Sequence, residues 1–236
     1  HSKYVHLYLN GLYWGIYTIA EKLNNDFMES YLYGTEDDFD VVEDHGDVID
    51  GDEVAWNQTL AMAEAGLSSN AAYQKIQGNN PDGEPNPAYP ILLDVDNLID
   101  YMILNIYIGN LDWGDNNWIA ARNRVDPLYG FRFFSWDAEN SLNDKNADLV
   151  DINKGKPVMI YQKLRANAEF RLRFADHLQK HFFNGGALTS QACLLRFREL
   201  ADDLDPAIIA ESARWGDYRR DVDPRNEGAS LYTRDE

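Results

Sequence analysis

Two short acidic segments hold the residue types best suited to chemistry. The first is Asn110-Leu111-Asp112-Trp113-Gly114-Asp115-Asn116-Asn117, and the second is Phe134-Ser135-Trp136-Asp137-Ala138-Glu139. They supply a carboxylate, a carboxamide five positions later, and a second carboxylate twenty positions beyond that. Magnesium takes oxygen ligands and keeps several waters, so a few such groups can hold it. One carboxylate can then meet a hydroxyl while the other carries metal and phosphate. Asp and Asn also shape turns for purely local reasons, and the chemistry alone leaves that reading open.

The flanking elements decide whether these groups can meet. Asp94 to Tyr107 reads as a buried helix, with Asp94 or Asp96 as cap and Leu98, Tyr101, Met102, Asn105 and Ile106 at helical spacing. It ends at Gly109, just ahead of the acid–amide loop. Trp118–Asn123 and Phe131–Trp136 read as two strands turned by Asp126-Pro127 and Tyr129-Gly130. Asp137 follows the returning strand, at the hairpin's far end. Upstream, residues 3–20 carry a hairpin signal around Asn10-Gly11, in which Gly15 allows a close backbone approach. A short helix is expected over residues 25–31, a strand over 39–42, helices over 53–64 and 71–76, and a proline-rich loop over 78–90. From Ile160 on the pattern is helical. Gly185-Gly186 breaks it, Thr189 or Ser190 starts a helix through Leu204, and Pro206 starts another through Trp215. The stretch after Asp221 is polar.

Composition bounds the partners. The chain has 236 residues and 44% hydrophobic residues, with six Trp, fourteen Tyr and ten Phe, enough for a sizeable core. Its net charge of −19 repels DNA, RNA and anionic lipid, so nucleic acid is excluded as a partner. No apolar run is long enough for membrane insertion. The same charge repels ATP at long range, so a nucleotide site needs metal or local cations. Cys193 is a single cysteine, which rules out an intrachain disulfide; its default is burial on a helix face. His177 and His181 are four apart but lack the Glu of the zinc-protease pattern.

The chain resembles the CotH kinase family, which has a protein-kinase-like fold. The resemblance rests on four elements in order: Tyr8-Leu9-Asn10-Gly11-Leu12-Tyr13-Trp14-Gly15-Ile16-Tyr17-Thr18-Ile19-Ala20-Glu21; Ile108-Gly109-Asn110-Leu111-Asp112-Trp113 with Asn116-Asn117-Trp118; Phe131-Arg132-Phe133-Phe134-Ser135-Trp136-Asp137; and Leu164-Arg165-Ala166-Asn167-Ala168-Glu169-Phe170-Arg171 with Ala213-Arg214-Trp215-Gly216. It implies an α+β, atypical kinase-like fold: the end of a small lobe in 1–22, a helical large lobe in 23–220 and a polar tail in 221–236. It further implies ATP-dependent phosphoryl transfer to protein hydroxyls with Mg or Mn. Asp112 matches the catalytic aspartate and Asn117 the metal-binding amide, at the kinase spacing but without the preceding His-Arg pair. Asp137 matches the second metal ligand, although Asp137-Ala138-Glu139 keeps neither the Phe nor the Gly of the kinase element. Glu21 is expected near the adenine, and Trp113 is the tryptophan expected to touch ligand; Trp14, Trp118 and Trp136 are expected to pack. Residues 1–7 supply neither the phosphate-covering loop nor the strand-borne Lys of a small lobe, so little or no transfer is expected from this chain alone. A spore-coat, cell-surface or secreted bacterial protein is implied if a signal lies upstream.

Two other function classes compete. A kinase-like fold can serve as a non-catalytic module that recruits a protein partner through its acidic surface. Paired carboxylates can also serve a metal-dependent or glycoside hydrolase, with separations of about 5–5.5 or 6.5–9.5 Å in the latter. The carboxamide at the fifth position suits metal coordination better than sugar chemistry. The expected acceptor is a basic or Ser-rich protein segment, drawn by the acidic surface.

Overall fold

The computed structural model describes residues 2–126 and 128–217; the polar tail lies outside the described residues. Among these residues there are seven α-helices and six strands in two antiparallel sheets, a mixed α+β architecture. Contacts group the chain into two compact units. One contains the described residues up to Lys22 and from His181 on, the other Leu23–Lys180.

In the first unit, β1 (Ser2–Leu9) and β2 (Leu12–Ala20) form a hairpin whose register slips once between Leu7 and Tyr8. Its turn uses Asn10 at φ 51° and Gly11 at φ 80°, the doubly left-handed geometry that a twisted two-residue turn demands. The hairpin rests on α7 (Ser190–Trp215). Glu211 Oε2 accepts the Ile16 backbone N–H at 2.7 Å, and Trp14 meets Trp215 edge-on at 5.4 Å. Gly15 permits this approach, since a methyl group there would lie 3.0 Å from both the Glu211 carboxylate and the Trp215 indole. The two helices expected on either side of Pro206 are one. A proline deletes one backbone hydrogen bond and crowds the preceding turn, which bends a helix without necessarily ending it. No residue of α7 is buried, so the freed carbonyl can reach water; Cys193 is accordingly only half-buried.

In the second unit, a sheet of order β4-β3-β5-β6 is formed by β3 (Phe39–Glu43), β4 (Asp47–Asp50), β5 (Trp118–Asn123) and β6 (Arg132–Ser135). Every residue of β5 is buried, because both faces of the sheet are covered. On one face Phe39, Val41, Ile119 and Ala121 pack with Met28 of α1 (Asn25–Tyr31). On the other, Trp56 of α2 (Val54–Ala65) stacks against Trp118, Phe131 and Phe133. Beyond α3 (Asn70–Lys75), α4 (Val95–Tyr107) lies against β6 and contributes Tyr101, whose ring contacts Phe133 and Trp113. Burial raises the Tyr101 phenol well above its usual range. Helix α5 (Lys156–Leu164) backs α2 and α4.

Helix α6 (Ala168–Phe182) contributes Arg173, which grips both Asp96 oxygens at 2.6 Å. Burial pushes the Asp96 carboxyl up, but the hydrogen bonds and charge of Arg173, with His177, outweigh it and leave it below the ordinary carboxylate value.

Candidate active site

The acid–amide loop leaves the C-terminus of α4 and is wired back to it by carboxamides. Asn110 donates to the Asn105 side-chain oxygen at 3.0 Å and accepts the Asp112 backbone N–H at 3.1 Å. Asn105 donates in turn to the Tyr101 carbonyl and to Ser135 Oγ on β6. Asn105 and Asn110 are each 1% exposed, so this short relay joins helix, loop and strand inside the core, where each polar group needs its partner.

Asp112 itself is half-buried. Asn116 Nδ2 donates to Asp112 Oδ1 at 3.1 Å, which fixes the carboxylate plane. Asn117 Nδ2 donates to the Asp112 carbonyl at 2.7 Å. Because that bond fixes which end of the amide is the NH₂, the Asn117 side-chain oxygen is the end left to act as a ligand. Asn117 has φ 60°, a left-handed conformation that Asn tolerates, and its backbone N–H is caught by Asp44 Oδ1 at 2.8 Å. Asp44, one residue past β3, carries no sequence signal for this role. It lies in an acid-rich stretch with no spacing relation to the loop, and only the β3–β5 pairing brings it there.

Asp137 reaches the same end of the sheet. The β5–β6 register pairs Trp118 with Ser135, and one step further the Trp136 N–H donates to the Asn117 carbonyl at 3.3 Å. Asp137 is therefore one residue from the backbone partner of Asn117, exposed, with φ 48°. Asp112, Asn117 and Asp137 thus share one sheet end. Glu21 stands exposed at the end of β2, in the hairpin unit, beside a cleft of about 280 Å³ lined by Ser2, Lys3, Val5, Ile19 and Ala20.

The tryptophans divide differently from expectation. Trp113 is 1% exposed, its ring edge-on to Tyr101 at 5.6 Å and its indole N–H without a partner, so it fills the core. Trp118 is equally buried, whereas Trp136, past the last residue of β6, is 40% exposed. The two ring nitrogens of His177 face Asp100 at 2.5 Å and Asp96 at 3.0 Å.

Two larger cavities, of about 310 and 660 Å³, lie at the other end of the β5–β6 hairpin. Both are walled by Leu128, Tyr129, Gly130 and Arg132. Cavity size therefore does not point to the acidic loops. What marks those is the backbone wiring that brings the Asp112–Asn117 loop and the residue before Asp137 to one sheet end.

Comparison with protein-family models matches residues 1–232 to the family described as CotH kinase protein. The chain belongs to the CotH kinase family. No curated protein matches it. CotH membership suggests a kinase-like function with use of ATP and a divalent metal, and the α+β architecture is consistent with a kinase-like fold.

Proposed function

We propose that this chain carries the metal-binding and hydroxyl-binding part of an ATP-dependent protein kinase of the CotH type. The observation that supports it best is the Asn117 amide, anchored through its NH₂ to the Asp112 carbonyl while its neighbour in the sheet leads directly into Asp137. The donor set is all oxygen, which suits magnesium or manganese and disfavours a thiolate- or imidazole-loving metal. Asn117 and Asp137 would hold the ion. Bound Mg·ATP supplies the transferable phosphoryl group and offsets its charge.

The protein's own contribution is placement. Asp112 Oδ1 is occupied by Asn116, so the second carboxylate oxygen is the one that can accept a hydrogen bond from an acceptor hydroxyl and later take its proton. Because the loop is tied to α4 and β6, little reorganisation is required at the moment of transfer. The acceptor follows from charge. A chain of net charge −19 attracts basic segments, so we infer a Ser- or Thr-bearing protein segment rich in Lys or Arg.

The reading is tested by titrating a non-hydrolysable ATP analogue with and without magnesium, monitored by NMR. Metal-dependent binding is expected, and Asp137→Ala should abolish the metal-dependent part while leaving the folded spectrum intact. Binding that ignores both magnesium and the substitution would leave the non-catalytic, partner-recruiting module as the better reading.

A further inference from the structure

The site described so far has a charge problem. Residues 108–117 and 134–144 contain Asp112, Asp115, Asp137, Glu139 and Asp144 but no Lys or Arg. A single divalent ion cannot offset these carboxylates and a triphosphate together. The structure brings one cation to the loop from elsewhere in the sequence. Lys154 Nζ lies 3.3 Å from Asp115 Oδ2, three residues after Asp112 and two before Asn117.

The segment that delivers it is fastened along its length. Beyond Asp137, Asn140 accepts the Leu111 N–H at 3.1 Å, and Leu142 donates to the Ile108 carbonyl at 2.7 Å. Ala147 packs against Gly109, where a methyl group would come within 3.2 Å of it. At the end of the segment the Gly114 and Gly155 backbones touch. A methyl on Gly155 would fall 1.6 Å from the Gly114 carbonyl oxygen, and one on Gly114 would fall 2.4 Å from the Lys154 carbonyl oxygen. Both glycines have positive φ, so two backbones are pressed together where no side chain fits.

Lys154 therefore has a fixed base and a free arm. Its side chain is 51% exposed and that of Asp115 is 39% exposed. An ion pair so solvated holds weakly, and a ligand of higher charge can take the ammonium from it at small cost. An ammonium on a flexible stem, rooted in rigid backbone beside a metal-binding loop, is suited to meeting phosphate oxygens.

We propose that Lys154 is the phosphate-binding cation of this site, handed from Asp115 to the nucleotide's terminal phosphates when Mg·ATP binds. This rests on the kinase reading of the loop and adds to it the residue that offsets phosphate charge.

The test is calorimetric or NMR titration of the full chain and its variants with Mg·ATP and, separately, with adenosine. Lys154→Ala should weaken Mg·ATP binding roughly tenfold, the value of about one charge-assisted hydrogen bond, and leave adenosine binding unchanged. Lys154→Arg should stay within about threefold of the parent, because the charge is retained. Protection of Lys154 from acetic anhydride by Mg·ATP, but not by adenosine, should accompany this. Parent-like Mg·ATP affinity in Lys154→Ala overturns this proposal alone. Equal losses for Mg·ATP and adenosine assign Lys154 a structural role and also overturn it. Absence of Mg·ATP binding in the parent removes the kinase reading, and this proposal with it.

Discussion

Asp112 is held by amides rather than by charges. Asn116 fixes its carboxylate, Asn110 its backbone N–H, and Asn105 fixes Asn110 from the helix. Neutral donors position a carboxylate without cancelling the charge it needs toward a metal or a hydroxyl. An Arg in their place would compete with both. The weak point of this design is burial. Asn105 and Asn110 depend on one another in the core, so Asn110→Leu strands the Asn105 oxygen and frees the Asp112 N–H. We expect a loss of about 1–3 kcal/mol in stability, read from the urea midpoint, and broadened amide signals over 110–117. An unchanged midpoint with unchanged loop signals would mean that water replaces the relay.

At the scale of elements, helix α4 and the β5–β6 hairpin were legible because each has a strong period and clear end signals: Asp94 caps α4, accepting the Asn97 N–H, and Gly109 follows its end. The two acidic segments were legible as a pair because the hairpin between them forces their backbones together. Strand β4 leaves no such signal; its four residues, Asp47–Asp50, are two apolar residues between two acids, too short and without the alternation of a strand to stand out in an acid-rich stretch. The junction of Gly114 with Lys154-Gly155 was equally silent, since a contact between two backbones forty residues apart leaves no side-chain pattern. Its energetic weight can be isolated. Gly155 and Gly185 have nearly equal φ, 82° and 81°, but a methyl on Gly185 meets nothing within 4 Å. Gly185→Ala should therefore show the conformational cost alone, about 1–2 kcal/mol. Gly155→Ala adds a backbone clash and should lose more than about 3 kcal/mol, or detach the segment from the loop. Thermal unfolding of the two variants side by side gives the comparison; equal losses would show that the Gly114 contact yields without cost.

For the whole molecule, the net charge of −19 acts on two ligands in opposite senses. It would repel the proposed nucleotide, which must then be admitted by metal and by whatever cation the site supplies, and it would attract the proposed basic acceptor. Both forces are long-ranged only at low salt, because the screening length falls to about 8 Å at physiological ionic strength. Raising the salt should therefore speed nucleotide association while slowing association of a Lys-rich, Ser-containing peptide. The second effect should approach tenfold between about 0.01 and 0.3 M salt, and an acidic peptide of equal length should show the reverse trend. Stopped-flow fluorescence with labelled peptides and a labelled nucleotide measures all three without requiring turnover. Opposite salt slopes for nucleotide and basic peptide are the signature of one acidic field acting on two partners. Parallel slopes would mean that local groups, and not the net charge, govern approach, and the inference of a basic acceptor would then lose its support.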